Sequence, residues 1–155
     1  MLLATLAMVV GGCRLEGLRK PQPVGPEVQV AAGEAFGGPW TAWIYRVDDG
    51  SLCMEFRSAA GPTDGGCGSG LGPFVTRGVA VTRVIGATDD PRAKVAHLVI
   101  AGQPPVDLDI AAPPAGVTQD VGFYVAALPG APTVERIEIV DAAGLLLDTT
   151  TVEER

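Results

Sequence analysis

Residues 40–57 read WTAWIYRVDDGSLCMEFR, and this stretch decides the fold class. Residues 40–47 are rich in aromatic and β-branched side chains, which favour extended strands. The Asp-Asp-Gly sequence at 48–50 is typical of a three-residue hairpin loop with glycine in the left-handed position. Residues 51–57 then alternate between apolar and polar side chains, so one face of a second strand is apolar. The stretch therefore predicts an antiparallel β-hairpin.

The pattern of short apolar segments and close turns extends through the rest of the chain. No window after residue 20 keeps a helical period for three turns. Turn-forming sequences interrupt the chain at 89–91, 103–105 and 141–144. We therefore expect an all-β fold, an antiparallel β-sandwich of about seven or eight strands, with a small β-barrel as the alternative. The strands predicted beyond the first hairpin are residues 78–85, 94–100, 106–110, 121–127, 135–140 and 145–151.

This succession of short strands resembles the immunoglobulin-like modules of bacterial secreted proteins. The Cys…Trp…Cys spacing of antibody domains is absent, because both tryptophans precede Cys53. The resemblance implies a sandwich architecture and carries no function with it.

The first thirteen residues, MLLATLAMVVGGC, form an apolar run that ends in a cysteine. A twelve-residue helix would reach about 18 Å, which is short of a hydrocarbon core of about 30 Å. The run instead has the length of the apolar region of a signal peptide.

The end of this run resembles the lipobox of bacterial lipoprotein precursors, with Val10, Gly11 and Gly12 before Cys13. The resemblance implies that residues 1–12 are a signal peptide and that Cys13 becomes the lipidated first residue of the mature protein. The chain departs from the family pattern because no lysine or arginine precedes the apolar run. We expect a lipid-anchored protein of the cell envelope outside the cytoplasm. An ordinary secretory signal or a buried N-terminal segment is the alternative.

A proline-rich tether is predicted between the lipidated cysteine and the body of the protein. Residues 13–26 contain three prolines, which favour extended backbone over helix. The remaining residues, 27–155, are expected to form a single domain.

Two cysteines remain if Cys13 is acylated, and an even remainder outside the cytoplasm favours a disulfide. Cys53 and Cys67 would close a loop of about 15 residues. The intervening segment is rich in glycine, so it is predicted to be a flexible loop that the disulfide pins. Free buried thiols in a cytosolic protein are the alternative.

Charge and residue content exclude several function classes. The net charge of -7 argues against a nucleic-acid partner, which requires a basic surface. His97 is the only histidine, and it is predicted to be a strand residue rather than a catalytic base or metal ligand. No phosphate-binding glycine motif is present. We therefore predict neither an enzyme nor a cofactor or metal site.

Three carboxylate pairs keep one catalytic alternative open. They are Asp48/Asp49, Asp89/Asp90 and Asp107/Asp109. A converging pair could serve a small secreted hydrolytic or carbohydrate-active domain. The first two pairs also suit turns, and the third suits the solvent face of a strand.

Two aromatic residues form the candidate binding surface. Trp43 and Tyr45 are two positions apart and share a strand face, whereas Trp40 is expected on the opposite face. They could fill the core or form an exposed contact surface. The sequence thus predicts a non-catalytic binding or spacer domain, with an unknown protein or carbohydrate partner and a membrane contact through the lipid anchor.

Overall fold

The computed structural model describes residues 22–35, 38–59, 61–68, 72–112 and 121–152. Within these residues the chain forms eleven β-strands and no helix, so no helix there has the length and apolar character needed to cross a membrane. The predicted all-β class is confirmed, and the described residues form eleven strands where seven or eight were expected. The strands are β1 (Val28–Ala35), β2 (Gly38–Arg46), β3 (Leu52–Ser58), β4 (Gly61–Gly68), β5 (Phe74–Arg77), β6 (Val81–Thr88), β7 (Ala93–Ile100), β8 (Val106–Asp109), β9 (Gly122–Pro129), β10 (Val134–Asp141) and β11 (Leu146–Thr151).

The strands form three sheets in which all pairings are antiparallel. Sheet 1 has the order β1-β2-β3-β4, sheet 2 the order β5-β6-β9, and sheet 3 the order β11-β10-β7-β8. Each sheet ends in two edge strands, so none of the sheets in the described residues closes on itself. The small β-barrel alternative is therefore wrong.

Sheet 2 lies in the middle and contributes to two hydrophobic cores. Successive residues of a strand point to opposite faces, so Val84 packs towards sheet 3 and Ile85 towards sheet 1. The core shared with sheet 1 includes Ile44 and Phe56, and the core shared with sheet 3 includes Leu98. The architecture is thus a sandwich of three layers that share the middle sheet.

The hairpin predicted at residues 40–57 is confirmed as β2 and β3. Ile44 lies opposite Met54, and Ala42 lies opposite Phe56, so their side chains enter the same core. Gly50 has a φ of +84°, as the predicted loop requires.

The expectation of a flexible loop between the two cysteines is wrong. Residues 61–68 form β4, which pairs with β3 and places Cys67 directly opposite Cys53. The glycines permit this pairing because neighbouring side chains occupy the space that a Cβ would need. A Cβ on Gly66 would lie 2.2 Å from the Phe74 ring. The eight-residue strand β1 and the four-residue strand β5 were also not predicted from the sequence.

The last residues of the predicted tether pair with the end of β2. The Val24 amide donates to the Arg46 carbonyl at 2.8 Å, and the Asp48 amide donates to the Gln22 carbonyl at 3.0 Å. Pro23 forms a bridge with Val47. The chain therefore joins the body beside the turn of the first hairpin.

Candidate functional site

Trp43 and Tyr45 lie on the face of sheet 1 that points away from the core. Their neighbours Ala42 and Ile44 are fully buried in β2, whereas the two aromatic side chains are half-buried. Trp40 lies on the inner face, with its ring centroid 5.4 Å from that of Phe56. The predicted separation of Trp40 from Trp43 is confirmed.

Arg57 holds Trp43 in place on this outer face. Its guanidinium carbon lies 4.6 Å from the centroid of the Trp43 ring, in a cation–π contact. The same guanidinium forms an ion pair with Glu27 at 2.8 Å and a second one with Glu55. Partial burial acts to lower the pKa of Arg57, but the hydrogen bonds to Glu27 and Glu55 outweigh it and raise that pKa.

Glu55 joins the second aromatic residue to this group. The Tyr45 hydroxyl donates to Glu55 Oε2 at 3.1 Å. Burial raises the pKa of Tyr45, and the nearby charge of Glu55 raises it further. The Trp43 indole N–H is also engaged, since it donates to Thr41 Oγ1 at 2.8 Å. Both rings are therefore fixed in orientation before any ligand arrives.

The Cys53–Cys67 disulfide predicted from the cysteine count is confirmed, and it borders the same face. Cys53 is buried beside Tyr45, to which it is paired in the register of β2 and β3, whereas Cys67 is exposed on the edge strand β4. The disulfide thus ties the edge of sheet 1 to the strand that carries Glu55.

A hollow of about 330 Å³ opens where β4 carries glycine in place of a side chain. It is lined by Tyr45, Glu55, Gly65 and Cys67 among other residues. A Cβ on Gly65 would lie 2.5 Å from the Met54 carbonyl oxygen and 2.7 Å from the Glu55 Cα, so a larger residue would clash with the backbone of β3. The hollow presents an aromatic edge, a carboxylate and strand backbone to solvent.

We call Glu27, Trp43, Tyr45, Glu55 and Arg57 the aromatic–ionic face. The sequence pattern predicts the two aromatic residues of this face but not the three charged ones. The alternation of β3 does place Glu55 and Arg57 on one side of a strand. Their contact with Trp43 depends on the register between β2 and β3, and Glu27 reaches it from the segment before β1.

His97 lies on β7, on the outer face of sheet 3. Its Nδ1 is 2.6 Å from Asp107 Oδ1 on the neighbouring strand β8. The side chain is partly exposed, as the sequence predicts for a strand histidine. The described residues contain no group of three or more His, Cys, Asp or Glu side chains that could hold a metal ion.

The three predicted carboxylate pairs lie at separate places in the fold. The pair at 48–49 is in the β2–β3 turn, where Asp49 accepts from the Ser51 amide at 2.8 Å. The pair at 89–90 precedes β7, and Asp107 and Asp109 lie on β8. Hydrogen bonds from Arg92 lower the pKa of Asp90 to about 2. The three pairs thus lie in separate turns and strands and do not form one cluster.

The predicted signal peptide and Cys13 lie outside the described residues. No family model, no curated protein and no solved structure matches this chain. The lipobox-like leader and the resemblance to immunoglobulin-like modules therefore stay predictions.

Proposed function

We propose that the chain is the precursor of a lipid-anchored lipoprotein of the cell envelope, and that its body is a non-catalytic binding domain. Cys13 at the end of the apolar run supports the anchor, since acyl chains on a cysteine hold a protein at a membrane without a spanning helix. The Cys53–Cys67 disulfide supports an extracytoplasmic location, because disulfides persist in oxidising compartments.

The observation that carries the binding proposal is the aromatic–ionic face with its adjoining hollow. Half-exposed rings offer apolar area for stacking, and a fixed carboxylate accepts hydrogen bonds from hydroxyl groups. These features favour a neutral, hydroxyl-rich ligand, which is the chemistry of a carbohydrate. The net charge of -7 disfavours a polyanion.

Titration calorimetry with soluble neutral oligosaccharides and polysaccharides tests the binding surface. The chain carries Cys13→Ser in all samples, so that it stays free of lipid. We expect Trp43→Ala and Tyr45→Ala each to weaken carbohydrate binding by at least about tenfold, which corresponds to the loss of one good contact. The matched control His97→Ala, on the outer face of sheet 3, should bind like the native chain.

Two results would contradict this assignment. One is a native chain that binds none of these carbohydrates, which would leave the face to a protein partner or to a spacer role. The other is equal weakening by His97→Ala, which would place the ligand elsewhere.

A further inference from the structure

The free edge of β11 carries the features of a strand-pairing surface. Unpaired N–H and C=O groups at a sheet edge attract other strands, so natural sheets protect their edges with proline, glycine, charge, bulges or short length. The described residues contain six edge strands, namely β1, β4, β5, β8, β9 and β11.

Five of these edges carry such protection. β5 and β8 have four residues each, and β4 contains one proline and four glycines. β9 begins with glycine and ends with proline, and β1 contains a bulge, a glycine and a glutamate. These edges are poor templates for a further strand.

β11 has the sequence LLDTTT, without proline or glycine; its one charged residue is Asp148, and residues 149–151 are uncharged threonines. Its one irregularity in register lies at Leu147, which leaves residues 148–151 regularly paired with β10. Beside this stretch lies a hollow of about 460 Å³, lined by β5 and by residues 150–152. Leu145 and Leu146, just before the regular stretch, are 60% and 53% exposed.

The hydrogen bonding of β11 shows which of its backbone groups face outward. The Val152 amide donates to the Glu135 carbonyl at 2.9 Å, so Val152 belongs to a hydrogen-bonded pair with β10. Such pairs alternate along an antiparallel ladder. The backbone N–H and C=O groups of Thr149 and Thr151 therefore point away from β10 and towards the open edge.

We propose that β11 pairs with β11 of a second copy of this chain, in an antiparallel register centred on Thr150. In this register Thr149 of each copy lies opposite Thr151 of the other, and about four inter-chain hydrogen bonds form. Asp148 lies opposite Val152, so the two aspartates do not oppose each other. Threonine pairs across a strand ladder are favourable. This self-complementarity favours a second copy over an unrelated strand.

The association is weak, because pairing of five residues buries less than the roughly 1,200 Å² of a stable interface. Sedimentation of the Cys13→Ser chain up to about millimolar concentration should show a concentration-dependent dimer. Thr149→Pro removes an outward N–H and leaves the β10 ladder intact. It should raise the dimer dissociation constant by at least about tenfold.

Asp109→Pro on β8 is the matched control, since its N–H also points away from its neighbour strand. The Ile110 amide donates to the Lys94 carbonyl, which fixes the alternation there. This variant should dimerise like the native chain. The thermal unfolding of both variants is measured alongside, and they are compared where both are equally folded. A loss of dimer is then separated from a loss of fold.

Cross-linking tests the register directly. With Cys13→Ser present, Thr150→Cys should form a covalent dimer on mild oxidation, because the two Cβ atoms would face each other across the symmetry axis. Thr149→Cys should cross-link at least about tenfold more slowly, since it faces Thr151. A native chain that is monomeric at every concentration would leave the edge to another protein and overturn the proposal. Equal cross-linking of both variants would also overturn it.

Discussion

At the scale of single residues, Glu55 connects the two halves of the aromatic–ionic face. It accepts a hydrogen bond from Tyr45 and pairs with Arg57, which in turn covers the Trp43 ring. The geometry of both aromatic side chains thus depends on one carboxylate.

The first prediction concerns the titration of Tyr45 when this carboxylate is neutralised. Burial and the charge of Glu55 raise the pKa of Tyr45 above its ordinary value of 10.0. Glu55→Gln removes the charge, so we expect the pKa of Tyr45 to fall towards 10.0 while the burial effect stays. Ultraviolet absorbance of tyrosinate against pH measures the shift, and Tyr45→Phe identifies which transition belongs to this residue. An unchanged titration in Glu55→Gln would contradict the contact.

The same raised pKa sets the sign of a stability change at high pH. The folded chain holds the Tyr45 proton more tightly than the unfolded chain does. The free energy of unfolding should therefore be fully retained below pH 10.0 and should fall as the pH rises through the pKa of folded Tyr45. Tyr124 acts in the same direction, because burial raises its pKa as well. Urea unfolding between pH 9 and pH 11 checks the sign, and a rise in stability there would be inconsistent with both shifts.

A glycine of the middle sheet gives a second prediction. A Cβ on Gly86 would lie 2.3 Å from the hydroxyl and ring of Tyr124, which is itself buried in the core. Gly86→Ala should therefore lower the free energy of unfolding by about 1–3 kcal/mol through overpacking. Gly72→Ala is the matched control, because nothing lies within 4 Å of its added Cβ. Denaturant unfolding compares the two, and equal losses would show that Tyr124 does not fill this space.

At the scale of strands, the β3–β4 ladder and the disulfide together hold β4 to sheet 1. Half of its residues are glycine, so its conformational entropy cost on folding is high. The salt bridge from Asp64 to Arg83 at 2.5 Å links it to sheet 2, and Cys67 links it to β3.

The third prediction follows for the double variant Cys53→Ser/Cys67→Ser. We expect the free energy of unfolding to fall by about 3 kcal/mol, which is the chain-entropy value for a loop of this length. Hydrogen exchange should rise first in the amides of β4, while β2 and β3 keep their protection. The native chain treated identically serves as the control. Native-like protection of β4 in the double variant would mean that its ladder suffices without the disulfide.

Strands with a strong apolar alternation could be predicted from the sequence, and the weaker ones could not. β2 and β3 follow directly from the pattern of residues 40–57, and β10 and β11 from the turn at 141–144. β4 lacks the pattern because its partners, rather than its own side chains, fill the surrounding space. β5 has four residues, too few to display a period.

Only those features of the candidate site that follow from spacing within one strand could be predicted from the sequence. The shared face of Trp43 and Tyr45 follows from a spacing of two. The contacts of Glu27, Glu55 and Arg57 with these rings arise from pairing between strands, which a single sequence does not encode locally.

At the scale of the whole molecule, the shared middle sheet should make the two cores unfold as one unit. Both tryptophans lie in β2 of sheet 1, so fluorescence reports on that sheet, whereas circular dichroism reports on all three. Leu98→Ala in β7 should lower the free energy of unfolding by about 2–5 kcal/mol. The fluorescence and circular dichroism transitions in urea should both shift to the same midpoint. Ile44→Ala places the same kind of change in the core of sheet 1, and it should likewise shift both transitions to one midpoint. If Leu98→Ala left the midpoint of the fluorescence transition unchanged, sheet 1 would unfold independently.

The lipid anchor and the disulfide both require delivery of the chain to an oxidising side of a membrane. The intact mass of the native protein extracted from membranes tests this most directly. We predict a chain that lacks residues 1–12, carries acyl groups on Cys13, and gains mass on thiol alkylation only after reduction of Cys53–Cys67. A full-length chain that begins at Met1, stays in the soluble fraction and reacts at all three cysteines without reduction would contradict the account.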